Sequence, residues 1–212
     1  MLFGGLIAVL AIAAVAYLLW PTWQSRRAGD PDRVPVSVGA TLFNVPTGAF
    51  RRKVQKHSGP QERVDLSYVY PSLEASNAPR HVSVENFDEN QPPIDRIFLS
   101  ISAHHDALSP EARLRTIYPR YVDQVMPAQD GLTTRPFRDA SPYGSEDLFL
   151  GEAPTLVARC TRDAATPGTC LSERRIGGAD LTFRFPRAWL EQWREVGEAM
   201  DRLTLQLSGV KG

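Results

Sequence analysis

LTFRFPRAWLEQWREVGEAMDRLTLQLSG, residues 181–209, changes hydrophobic period within one stretch. Leu181, Phe183 and Phe185 alternate with Thr182 and Arg184, the period-two pattern of a strand with one face in a core. After Pro186 the period lengthens. Trp189, Trp193, Val196, Met200, Leu203 and Leu207 recur at spacings of four and three, which at 100° per residue places them within about 40° of one line. This predicts a helix opened by Pro186 and ended before Gly209, a residue suited to a left-handed C-terminal cap. The stripe needs an apolar partner. The strands just before it are the simplest one, and a helix of another protein is the alternative, which makes Trp189, Trp193 and Met200 a candidate interaction face. The opposite face pairs Arg194 with Glu198 and Glu198 with Arg202 at four-residue spacing, as solvated helix faces do.

Upstream, Leu148–Leu150, Thr155–Cys160, Leu171–Ile176 and Leu181–Phe185 read as successive short strands with turn residues between them, an antiparallel meander. The two cysteines, Cys160 and Cys170, flank a turn-like cluster of Thr166, Pro167 and Gly168. They read as a hairpin staple, worth about 2–3 kcal/mol in the chain-entropy model. A zinc site needs more ligands at finger-like spacing, a redox pair usually has two residues between its cysteines, and two buried free thiols are the remaining alternative. A bridge implies an oxidising compartment.

Further toward the N-terminus, Ser109 and Pro110 supply an N-cap and a first-turn proline for a helix through Leu114, Ile117 and Tyr118, limited by Pro119. A loop from Pro127 to Gly144 includes a possible strand at Leu132–Phe137. Arg96–Ser102 is a strand with Ile97, Leu99 and Ile101 on one face and Phe98 on the other. Residues 74–93 are polar and proline-rich, with a short strand hinted at His81–Val84. Val64, Leu66, Tyr68 and Tyr70 share one face of a strand ended by Pro71, and Val36, Val38, Ala40, Leu42 and Val45 alternate as a strand where the domain begins.

Leu2–Trp20 holds no charged residue and would span roughly 28 Å as a helix, close to a bilayer's hydrocarbon thickness. The expectation is a transmembrane anchor over residues 1–20, contacting the lipid bilayer, with a linker over 21–35 and a soluble domain over 36–212. Tyr17, Trp20 and Trp23 suit the headgroup level, and the absence of a basic residue before the run argues against a cleaved leader. Arg26 and Arg27 after the span favour a cytoplasmic domain, whereas the cysteines favour an extracytoplasmic one; the cysteines carry more weight.

The chain carries 24 basic and 24 acidic residues, so nothing draws it as a whole toward nucleic acid. From Pro21 to Arg63, however, there are eight Lys or Arg and three Asp or Glu. Arg26, Arg27, Arg51, Arg52 and Lys53 in that segment are candidate membrane-surface residues, an ordinary solvated face being the plainer reading. Chemistry is sparse. His104 and His105 with Asp106 form the one cluster of catalytic types, and adjacent strand residues point to opposite faces. No zinc-protease helix, nucleophile elbow, phosphate-cradling loop or dinucleotide fingerprint is present in the sequence, so no cofactor, metal or catalytic residue is assigned.

Several stretches together resemble a group of single-pass, N-terminally anchored proteobacterial proteins with no established activity: Asn44-Val45-Pro46 with Arg51, Arg63-Val64-Asp65-Leu66 leading to Tyr70-Pro71, Arg113-Leu114 with Ile117-Tyr118, Arg159-Cys160 with Cys170, and Phe183-Arg184-Phe185 with Leu190 and Trp193. The resemblance implies a location at the inner membrane with a periplasmic domain and carries no catalytic role. The expected fold is α+β, an antiparallel sheet with at least two helices, preceded by one transmembrane helix. The expected function is a non-catalytic, membrane-anchored accessory or interaction protein with an envelope or membrane protein partner. A small-ligand-binding or hydrolytic envelope module and a subunit of a larger membrane complex are the alternatives.

Overall fold

Residues 32–75 and 94–209 are described by the structure, a computed structural model. The expected anchor over 1–20, Arg26, Arg27, most of the linker and the strand hinted at 81–84 lie outside the described residues. The chain divides into two units, Met1–Arg33 and Val34–Gly212. Apart from its first strand residue, the architecture that follows belongs to the second.

β1 (Arg33–Val38) turns at Gly39 into β2 (Thr41–Pro46), and β3 (Gly59–Gln61) joins β1 in parallel, giving a small sheet of order β2-β1-β3. The alternation from Val36 to Val45 is therefore a hairpin and not one strand. Gly39, at φ 57°, makes the turn, a conformation costly for any residue with a Cβ. The turn shifts the phase of the pattern: Val36, Val38, Phe43 and Val45 are fully buried, and Leu42 is 64% exposed.

The large sheet comprises β4 (Arg63–Val69), β5 (Arg96–Ala103), β6 (Met126–Pro127), β7 (Thr133–Pro136), β8 (Glu146–Gly151), β9 (Leu156–Thr161), β10 (Thr169–Ile176) and β11 (Ala179–Pro186). Its order is β4-β5-β11-β10-β9-β8-β7-β6, and every neighbouring pair is antiparallel. From β6 to β11 it is an unbroken meander. β5 then adds beside β11, and β4 closes that edge.

α1 (Pro110–Thr116) starts at Ser109, whose Oγ accepts the Ala112 N–H at 3.1 Å. Pro119 keeps it short: the chain tightens into a 3-10 turn at Tyr118–Arg120 and leaves the helical path, so Val125 ends 57% exposed. The C-terminal stretch also divides. Arg187–Gln192 is a 3-10 turn, and α2 (Trp193–Ser208) follows it, ending at Gly209 with φ 64°.

One core joins these parts. The inward side chains of the small sheet meet Leu66, Leu99, Leu181 and Phe183 of the large sheet, and Val196, Met200, Leu203 and Leu207 of α2 fill the same cluster. Cys160 and Cys170 sit directly opposite each other on β9 and β10, fully buried and bridged, with their Cα atoms 3.9 Å apart.

The expected α+β class with a leading transmembrane helix is corrected by this arrangement. Eleven strands in two sheets dominate the described residues, against two α-helices of 7 and 16 residues, and the small sheet contains a parallel pair. No helix among the described residues is long and apolar enough to cross a membrane. The reading leaned toward helix because the stripes around Leu114 and Trp189 are helical in period. Proline and 3-10 turns shorten both elements.

Candidate interaction face

Strand alternation gives the large sheet a second face, opposite the core. One half of it is covered. α1 and the 3-10 turn after it lie over β7, β8 and β9, where Tyr118, Val122, Phe137 and Leu148 form a second buried cluster. Tyr118 meets Phe137 and Tyr143 edge-on, with ring centroids 5.7 and 5.5 Å away, and the Arg159 guanidinium lies 5.0 Å from the Tyr143 ring. Burial pushes the Tyr118 phenol up, opposed by the positive charges of Arg159 and Arg113. Arg113 of α1 reaches Glu173 on β10 at 3.1 Å, which marks the border of the covered half.

The other half, over β4, β5 and β11, is open. Register arranges it in cross-strand rows. Ser67, Phe98, Arg184 and Leu171 form one; Asp65, Ser100, Thr182 and Glu173 form the next. Phe98 is half-buried, Arg184 is exposed, and the Arg51 guanidinium stands 4.6 Å over the Phe98 ring. Cross-strand neighbours on one face lie close enough for such side chains to act together. At the β4 edge, Asp65 accepts from Arg63 Nη2 and Ser100 Oγ, each at 2.7 Å, and Gln55 Nε2 lies 3.5 Å away. Burial of this carboxyl raises its pKa, but the bonds from Arg63, Ser100 and Gln55 and the Arg63 charge outweigh that and hold it below its ordinary value.

Two clefts open elsewhere. One, of about 530 Å³, lies beside the open half and is lined by Arg52, Gln55, His57, Glu62, Arg63 and Asp65 among others. The second, of about 410 Å³, has Leu132, Phe149 and Leu190 on its floor and Arg187 at its side. That arginine is already committed: Arg187 Nη2 and Arg162 Nε hold the two oxygens of the buried Asp147 carboxylate at 2.7 and 2.9 Å. Arg162 also donates to the carbonyls of Gly144 and Phe137, so the clamp ties the β8 entry to the β9 exit. These are structural bonds.

The structure separates the residues singled out in the sequence. Trp193 and Met200 are core, 2% and 0% exposed, because the apolar stripe of α2 faces the sheets of its own chain; as an interaction face they are corrected. Trp189 stays half-buried and stacks on Tyr70, with centroids 4.3 Å apart. Arg51, Arg52 and Lys53 are exposed on the segment entering the 3-10 turn at Lys53–Gln55, next to the open half. His104 is half-buried at the end of β5, whereas His105 is exposed, at φ 46°, with Nε2 3.3 Å from Glu62. Neither histidine lines the two clefts. Sequence reading passed over Arg184 and the Asp147 clamp. The Phe183-Arg184-Phe185 alternation holds the signal for the first, since it puts Arg184 opposite the core. The clamp joins residues up to 40 positions apart and has no local signature.

No protein-family model and no curated protein matches the chain. Among solved structures, an immunity protein of the Stenotrophomonas maltophilia type IV secretion system is similar at a TM-score of 0.50 and 14% identity, covering 82% of this chain and 92% of its own. An iron-regulated outer membrane lipoprotein of Neisseria meningitidis aligns at a TM-score of 0.42 and 10% identity, over 80% of this chain and 92% of its own. The first likeness is one of fold.

Proposed function

We propose that the domain is a non-catalytic binding protein of the bacterial envelope that recognises another protein through the large sheet. The observation that carries this reading is the division of the outer sheet face. One half is sealed by α1 and its aromatic cluster, and the other presents Phe98, Ser100, Thr182 and Arg184 on a rigid floor of paired strands. Aromatic and arginine side chains on a flat, hydrogen-bonded surface match the composition of protein interfaces. The buried carboxylates Asp65 and Asp147 are held by arginines, which favours a structural over a catalytic use of them. The buried Cys160–Cys170 bridge supports an oxidising compartment, and the immunity protein is a precedent for an accessory role of this fold.

A photocrosslinking scan of the full chain in its native cell tests this, with the reactive amino acid placed singly at Thr182, Ser100, Met126 and Leu205. The expected result is a protein adduct of one discrete mass from at least one surface. A scan that yields no protein adduct at any position would overturn the binding role.

A further inference from the structure

We infer that the partner of the open half-face is an acidic protein surface, met by the row of Arg51, Phe98 and Arg184; this rests on the binding role proposed above. The argument is one of charge. On the covered half and around it, arginines find carboxylates: Arg113 meets Glu173 at 3.1 Å, Arg159 meets Glu146 at 2.7 Å, and Arg175 meets Asp180 at 2.7 Å. On the open half, Arg63 is matched by Asp65 at 2.7 Å, and Arg52 approaches that same carboxylate only at 3.8 Å. Arg51 and Arg184 have no carboxylate partner among the described residues, and Lys53 and Lys56 lie exposed beside Arg51. In a chain of 24 basic and 24 acidic residues, this concentrates uncompensated positive charge on one side of one sheet.

The surroundings favour a protein over a lipid surface. Phe98 is half-buried between strands with Arg51 over its ring and Arg184 beside it, so it supplies a flat contact and not a wedge for insertion. Ser100 and Thr182 stand opposite each other in the next row and offer hydroxyls at fixed strand spacing. A carboxylate reaching Arg184 would accept charge-assisted hydrogen bonds on a preordered surface. Val54, 78% exposed next to Lys53, is the feature a membrane could use, and the test separates the two.

The full chain carrying the photoreactive amino acid at Thr182 or Ser100 is compared with the same chain bearing Arg51→Glu and Arg184→Glu. Arg184→Lys serves as the charge-preserving variant, and circular dichroism with an intact disulfide checks folding. The expected result is an adduct to one protein of net negative charge, reduced at least about tenfold by the double reversal and retained by Arg184→Lys. The purified full chain should also fail to sediment with phosphatidylglycerol–phosphatidylcholine vesicles. Sedimentation that the double reversal abolishes, an adduct partner without net negative charge, or an adduct indifferent to the reversal each overturns the inference. An adduct from Met126 or Leu205 alone overturns the assigned surface and leaves the binding role standing, whereas no protein adduct from any position removes both.

Discussion

Trp193 occupies the space that a side chain at Gly151 would need. A Cβ on Gly151 would come within 3.0 Å of three atoms of the indole's benzo ring, and Trp193 Nε1 donates to the Asp130 carbonyl at 3.3 Å. The first residue of α2 is thus seated on the last residue of β8, and Gly197 one turn later approaches Pro154 in the same manner. Gly151→Ala should lower stability by about 1–3 kcal/mol through overpacking, and Trp193→Ala by about 3–5 kcal/mol through loss of a buried aromatic. Urea unfolding followed by tryptophan-independent circular dichroism measures both. A Gly151→Ala protein as stable as the parent would mean that α2 is not docked as described.

The two glycine turns form a second contact. A Cβ on Gly39 would lie within 3.0 Å of the Gly178 carbonyl, and Thr41 Oγ1 bridges the turns by accepting the Gly178 N–H at 2.9 Å and donating to the Ile176 carbonyl at 3.0 Å. Gly39 also has φ 57°. Gly39→Ala should therefore cost about 1–3 kcal/mol from strain and clash together. Thr41→Ser, which keeps the hydroxyl, should cost less than Thr41→Val, which removes it. Equal effects of those two variants would discount the bridge.

The Cys160–Cys170 bridge closes a loop with a sequence separation of 10 and is wholly buried. Its loss in the Cys160→Ala/Cys170→Ala double variant should lower stability by about 2–3 kcal/mol in the loop-entropy picture. Because both sulfurs are inaccessible, dithiothreitol should leave the folded protein bridged and reduce it once urea unfolds the domain. Rapid alkylation of both thiols in the folded, dithiothreitol-treated protein would contradict that burial.

Asp65 sets an acid limb. Its folded pKa lies below the ordinary 3.8, so the carboxylate contributes stability above that value, and the contribution fades as pH falls through the lower, folded value. The unfolded state binds the proton first on acidification. Stability of the parent should therefore drop with falling pH in this acidic range, and Asp65→Asn should flatten that drop while starting from a lower stability near neutrality. Parallel acid curves for the two proteins would show that the Arg63 and Ser100 bonds do not hold the carboxylate ionised.

Period and punctuation are local properties, and they made much of the fold legible. The alternation at Leu181–Phe185, the apolar runs of β8 to β10 and the Ser109-Pro110 helix start each follow from the steric and burial preferences of a few neighbouring residues. The sequence likewise placed Cys160 and Cys170 across a turn. What it could not decide was partnership. Whether the stripe of α2 meets its own sheets or another chain depends on surfaces that come together only in the folded molecule, and there Trp193 and Met200 are enclosed. Tertiary structure alone made Gly39 the corner of a hairpin, set Arg162 and Arg187 on Asp147, and covered one half of the outer sheet face while leaving Arg51, Phe98 and Arg184 on the other. The reason is physical: a strand's pattern states which side chains share a face, but what lies over that face is settled by the packing of segments distant in the chain.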